Sequence, residues 1–175
     1  EDGLENAAML LTEKGYTDFP GHRVYVGSID GDTLVVGAPE AGVLSRGWLY
    51  AYRHDGTAWQ LEEKFTTLAP QGHQLGKRLS LFGDTVIVGS KIFDYTMQNR
   101  SPPGHVRAYD VRSGEFKWRF NTIPQGDKEF VETWENDSWS YTGNTGVWAP
   151  MSADLELGYV YLPIETATND TYGGD

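Results

Sequence analysis

The sequence predicts an all-β chain, folded as a partial or small β-propeller-like array of about three to four antiparallel blades. Three observations predict it. The strand Gly31-Asp32-Thr33-Leu34-Val35-Val36-Gly37 returns as Gly83-Asp84-Thr85-Val86-Ile87-Val88-Gly89, 52 residues on. A second strand follows each copy, Gly47-Trp48-Leu49-Tyr50-Ala51-Tyr52 and then Gly104-His105-Val106-Arg107-Ala108-Tyr109, 57 residues apart. Gly, Pro and Asp-Gly pairs punctuate runs of alternating apolar and aromatic residues, the pattern of many short strands.

Both spacings are close to the size of one four-stranded blade, about 40–50 residues. The difference between them sits in the longer loop from Lys91 to Pro103. Within the repeat, the Asp55-Gly56 turn and Trp59 match the Ser113-Gly114 turn and Trp118. A third, partial unit stands at Asp154-Leu155-Glu156-Leu157-Gly158-Tyr159-Val160-Tyr161. Residues 4–14 hold the one helix the pattern allows, with apolar Leu4, Ala7, Ala8 and Leu11, and Gly15 and Pro20 stop it. Residues 1–20 are therefore set apart as an N-terminal segment. An array this short exposes strand edges, which invite pairing with another copy, so a homo-oligomer is expected.

Composition narrows the functional classes. The 175 residues carry a formal charge of −11, which repels nucleic acid and anionic membranes alike. No run of about 18 apolar residues occurs, so no membrane insertion is expected. Cysteine is absent, which removes disulfides, thiolate nucleophiles and Cys-based metal sites. The chain opens on Glu1-Asp2-Gly3 without the basic and apolar regions of a signal peptide. The histidines His22, His54, His73 and His105 show no metal-ligand spacing and read as surface residues.

Residues 21–90 resemble FG-GAP-type propeller repeats, through the core Gly31 to Ala38 and the strand Leu49-Tyr50-Ala51-Tyr52. Members of that family often bind calcium through an Asp-rich loop, because several carboxylate oxygens can converge on one ion. This chain offers Asp30-Gly31-Asp32, which reads as a turn between strands.

Residues 84–175 resemble the PQQ-dependent sugar and alcohol dehydrogenases, and the shared strand 83–90 is where the two resemblances meet. One motif is Ala108-Tyr109-Asp110-Val111-Arg112-Ser113-Gly114-Glu115-Phe116-Lys117-Trp118, a blade signature in which Trp118 docks between blades. The other is the Trp-rich polar string from Thr133 to Asp154, which strand periodicity does not explain.

The resemblance implies a cofactor site and a fold together. Trp148 takes the position of the floor on which a planar quinone stacks, flanked by Asn144 and Thr145; Trp134 and Trp139 read as packing residues. The same resemblance implies a Ca²⁺ or Mg²⁺ ion beside the quinone, held by oxygen ligands, with Asp94 and either Thr166 or Thr168 at the matching positions. It implies no catalytic residue in this chain, because the family's general base lies in later blades. The function it implies is oxidation of a small-molecule alcohol or sugar, in a periplasmic or extracellular bacterial setting. Two other readings stand beside it: a non-catalytic propeller-like binding or adhesion module, and a hybrid of the two blade types.

Overall fold

A computed structural model describes residues 25–39, 47–66, 76, 78–89, 104–126, 129–143 and 145–167. The helix expected at 4–14 lies outside the described residues. What is described is mainly antiparallel β-structure in two four-stranded sheets and one hairpin.

The first sheet runs β1 (Tyr25–Asp30), β2 (Thr33–Ala38), β3 (Trp48–His54) and β4 (Trp59–Thr66), each strand paired with the next. The second repeats that order as β5 (Arg78–Phe82), β6 (Thr85–Gly89), β7 (Val106–Asp110) and β8 (Phe116–Phe120). Two-residue turns, Gly31-Asp32 and Gly83-Asp84, join the first two strands of each sheet, with Asp30 opposite Thr33 and Phe82 opposite Thr85. Their leading glycines sit at φ 57° and 55°, where a side chain would be strained. The repeat in the sequence is thus a repeat of whole sheets, and β1 lies alongside β5 as the first strands of neighbouring blades do.

Strand alternation explains how the sheets stack. Successive side chains point to opposite faces. Val35, Leu49 and Ala51 therefore leave the first sheet on the side of the second, and meet Leu79, Leu81, Val86, Val88, Tyr109 and Val111 in one buried cluster. The opposite parity of the second sheet, Ile87, Val106 and Ala108, packs on Val147 and Met151, with Val160 and Leu162 at its margin. The runs Leu34-Val35-Val36 and Val86-Ile87-Val88 are continuously apolar because both faces of these strands are buried. Full burial of each such side chain contributes about 1.5–3 kcal/mol.

Backbone contact sets how near the units come. Gly37 is the penultimate residue of β2 and Gly89 the last of β6, and the chain entering the next unit runs directly against them. A Cβ on Gly37 would overlap the carbonyl of Gly76, and one on Gly89 the carbonyl of Val147. Glycine stands there because only a bare Cα leaves room for the neighbouring backbone.

The blade signature is a turn built on one carboxylate. Asp110 Oδ1 accepts from the amides of Arg112 (3.0 Å) and Ser113 (3.1 Å) and from the Ser113 hydroxyl (3.1 Å). Its other oxygen lies 3.2 Å from Lys117 Nζ. The Ser113 amide foremost, with Lys117 and the Arg112 amide, holds its pKa at about 2. Asp55 serves the β3–β4 turn in the same way, through the amides of Thr57 and Ala58.

The third unit is a hairpin, β9 (Ser152–Asp154) with β10 (Tyr159–Tyr161), and Asp154 Oδ1 accepts from the amides of Glu156 and Leu157 in its turn. Three sequence expectations need correction. Trp59 stands opposite His54, whereas Trp118 stands opposite Ala108: both sheets carry the same bulge between the Ala and Tyr of their third strand, but Tyr52 pairs with Leu61 and the first hairpin runs two pairs further before turning, while Tyr109 pairs with Phe116 next to its turn. His105 is only 6% exposed, since its segment is covered where it enters β7. Residues 131–133 and 135–140 form 3-10 helices, with Asn136 and Asp137 at positive φ.

Two predictions follow from this packing. Gly37→Ala and Gly89→Ala should each cost about 2–3 kcal/mol in urea unfolding, because the added methyl meets backbone that cannot rotate away; a cost below about 0.5 kcal/mol would sink the close-approach account. Asp110→Ala should cost about 1–3 kcal/mol at neutral pH. The folded carboxyl titrates near 2 against 3.8 for the free group, so its contribution is complete above about pH 4 and fades as pH falls toward 2. The stability gap between parent and variant should close over that interval, and a gap that stays constant would contradict it.

Candidate functional site

The chain leaves β8, crosses the two 3-10 helices and returns as the extended segment 145–151 that leads into β9. Glycines seat that segment. A Cβ on Gly104 would overlap the carbonyl of Thr145, just as one on Gly89 would overlap that of Val147. Thr145 is buried and its hydroxyl donates to the Gly143 carbonyl (3.2 Å). The Val147 side chain enters the core between Ile87 and Val106.

Trp148 turns the other way. It is 49% exposed, so it is not a core aromatic. Its backbone is fixed even though its ring is open: Arg78, the first residue of β5, donates from Nε to the Trp148 carbonyl. Farther along, Ser80 Oγ donates to the Met151 carbonyl (3.5 Å). On the far side, Glu165 Oε1 accepts from the Gly146 amide (2.8 Å), and the Glu165 amide donates to the Gly146 carbonyl (3.2 Å). Thr166 follows and is exposed beside this junction.

Of the expected site residues, the structure therefore describes Trp148, Thr145 and Thr166, and it brings the segments carrying them together through the Gly146–Glu165 pair. Asn144, Asp94 and Thr168 lie outside the described residues. Thr145 is turned into the fold, which makes it a support for Trp148. An open indole face on a fixed backbone is the surface a flat conjugated ring requires. For a cation the described residues offer less, since no three acidic or histidine side chains gather among them.

The Asp30-Gly31-Asp32 turn spends its carboxylates on structure. Asp30 Oδ2 accepts from the Gly83 amide (2.8 Å), tying the two sheets at their turns. Both oxygens of Asp32 accept from Arg53 Nη1 at 2.9 Å, and Arg53 foremost lowers the Asp32 pKa. Trp118 lines a cleft of about 480 Å³ between β8 and the segment after β10, together with Phe120, Val160, Leu162 and Ile164. That places it between two blades, 36% exposed.

Sequence reasoning missed Arg78 and Glu165. Arg78 reads as an ordinary polar residue at a strand start, and Glu165 was passed over in favour of its hydroxyl neighbours. Only the return of residue 165 to residue 146 reveals its part.

Four-stranded antiparallel sheets in sequential order, closely stacked and followed by a further blade's first hairpin, define a segment of β-propeller. Residues 52–175 match the family model for PQQ-type glucose/ethanol/alcohol dehydrogenase β-propeller domains, and the chain belongs to that family. It is 30% identical over 98% of its length to a quinate/shikimate dehydrogenase (quinone) of Acinetobacter baylyi, and 26% identical over 98% to quinoprotein glucose dehydrogenase A of Acinetobacter calcoaceticus. It spans 20% of the length of each. The crystal structure of quinohemoprotein alcohol dehydrogenase from Comamonas testosteroni shares the fold over 78% of this chain and 20% of its own, with a TM-score of 0.58 at 23% identity.

Because two relatives align over 98% of the chain, the quinoprotein likeness runs through residues 21–90 as well, and nothing in these matches sets that stretch apart as FG-GAP-type.

A half-exposed Trp148 makes a prediction about stability. Trp148→Ala should cost no more than about 2 kcal/mol in urea unfolding, against about 3–5 kcal/mol for a tryptophan fully inside a core. A larger cost would return Trp148 to the core.

Proposed function

We propose that this chain is the part of a PQQ-dependent dehydrogenase that carries the floor of the quinone pocket, with Trp148 as the stacking surface. The observation that supports this reading is the combination at Trp148 of an open ring and a backbone held by Gly89, Arg78 and Gly146. A residue kept for packing would be closed; a residue of a loose loop would not be wedged from three sides.

Bound PQQ would supply the redox chemistry, accepting two electrons and two protons as a hydroxyl of the substrate becomes a carbonyl. The chain's own residues do the holding. Trp148 presents its π-face, Thr145 and Val147 anchor the strand beneath it, and Arg78 keeps its carbonyl from turning. Asp94 with Thr166 or Thr168 would supply oxygen ligands to Ca²⁺ or Mg²⁺, hard cations that favour such donors. The substrate class is a small alcohol or sugar, in keeping with relatives named for quinate or shikimate, glucose and alcohol. A periplasmic or extracellular setting is part of the same reading. No helix among the described residues is long and apolar enough to cross a membrane.

Titration with PQQ and Ca²⁺ tests the proposal, followed by quinone absorbance and by melting. A ligand that binds only the folded state stabilises it by about 2.7 kcal/mol at a hundredfold excess over its dissociation constant. The expected result is a rise in melting temperature that Trp148→Ala abolishes. No rise at high PQQ, or an equal rise in Trp148→Ala, refutes the assignment and leaves the chain as a propeller scaffold.

A further inference from the structure

We infer that Glu165 is a positioning residue for Trp148, and that its pairing with Gly146 creates the bulge from which the indole projects. The inference rests on the reading of Trp148 as a quinone platform and adds to it the device that sets the platform's place.

The bonds between residues 146 and 165 extend the β9–β10 pairing beyond the strands. In the hairpin itself, Tyr161 stands opposite Ser152. Beyond it, Glu165 and Gly146 are tied by two hydrogen bonds. Between these two ties one side of the ribbon has three residues, 162–164, and the other has five, 147–151. Two chains fixed at both ends cannot run parallel with unequal lengths, so the longer one bows out. Pro150 lies within the bow and has no amide to offer a ladder. Val147 takes the inward direction into the core, and Trp148, next in line, is turned outward.

The side chain of Glu165 is the part of this tie that sequence can change. Its backbone amide reaches the Gly146 carbonyl whatever the residue, but the Gly146 amide is satisfied by Oε1. Remove the carboxylate and the Gly146 amide loses that acceptor, and the bow is free to slide. Glutamine keeps a carbonyl oxygen at the same reach and should keep the tie.

The experiment labels the six tryptophans with 5-fluorotryptophan, assigns the Trp148 fluorine resonance by its loss in Trp148→Phe, and follows amide hydrogen exchange at Gly146. Glu165→Ala should speed exchange at Gly146 at least about tenfold and move or broaden the Trp148 resonance, while exchange at Val88 and Val106 in the core is unchanged. Glu165→Gln should restore both signals, and Thr166→Ala should disturb neither. The inference is overturned if Glu165→Ala leaves Gly146 and Trp148 as they were, if exchange accelerates uniformly through the core, or if glutamine fails to rescue. These readouts need no quinone. A chain that ignores PQQ would therefore remove the platform reading while the role of Glu165 is still decided.

Discussion

The distance between neighbouring blades is set by backbone lying on backbone. One residue before the end of β2 and again at the end of β6 a glycine meets a carbonyl of the next unit, and a side chain at either place would hold the units apart. Everything inside the stack assumes that spacing. Val35 and Leu49 reach Val86 and Val88 only at that separation, and Val147 reaches Ile87 and Val106 only when its own carbonyl is against Gly89. The same contact delivers Trp148, since a residue directly after a seated carbonyl has little freedom in where it goes. Packing and presentation of the site are therefore one constraint, expressed once between the sheets and once at the candidate pocket.

The acidic residues of the repeat have a different job from the one an acidic chain suggests. Asp30, Asp55, Asp110 and Asp154 each accept backbone amides in or between turns, where the amides would otherwise have no partner. Asp32 is occupied with Arg53. Carboxylates used in this way are poor candidates for a cation, since a metal would have to displace the amides or the guanidinium already bound.

The blade architecture was legible in the sequence because a repeat is read by comparison within one chain, and the two Gly-Asp-Thr strands differ only by exchange among apolar residues. The Trp-rich string from Thr133 to Asp154 stood out as a departure from strand alternation, and it was the family resemblance that singled out Trp148 within it. Other features left no such trace. The β3–β4 hairpin carries two more residue pairs past its Tyr than the β7–β8 hairpin does, a difference hidden by the similar turn residues, so Trp59 and Trp118 looked equivalent. His105 looked like a surface residue because burial there comes from the covering chain rather than from its own strand. The 3-10 turns between 131 and 140 are interrupted by a kink at Asn136 and Asp137, both at positive φ, and strand periodicity gives no sign of either. Glu165 acts through a partner 19 residues away, a relation visible only once the hairpin is closed.

The third unit has a consequence for the order in which the molecule assembles. Its ladder is three residues long on each strand, and a ribbon of that size does not persist by itself in water. The two larger sheets are built from neighbours in sequence, each strand pairing with the next, which keeps their pairings comparatively local. Trp148 therefore gains a fixed seat late in folding, after Gly89 and Ile87 have come together beneath Val147. During synthesis from the N-terminus the same sequence of events holds, and the aromatic surface is completed on a foundation already standing.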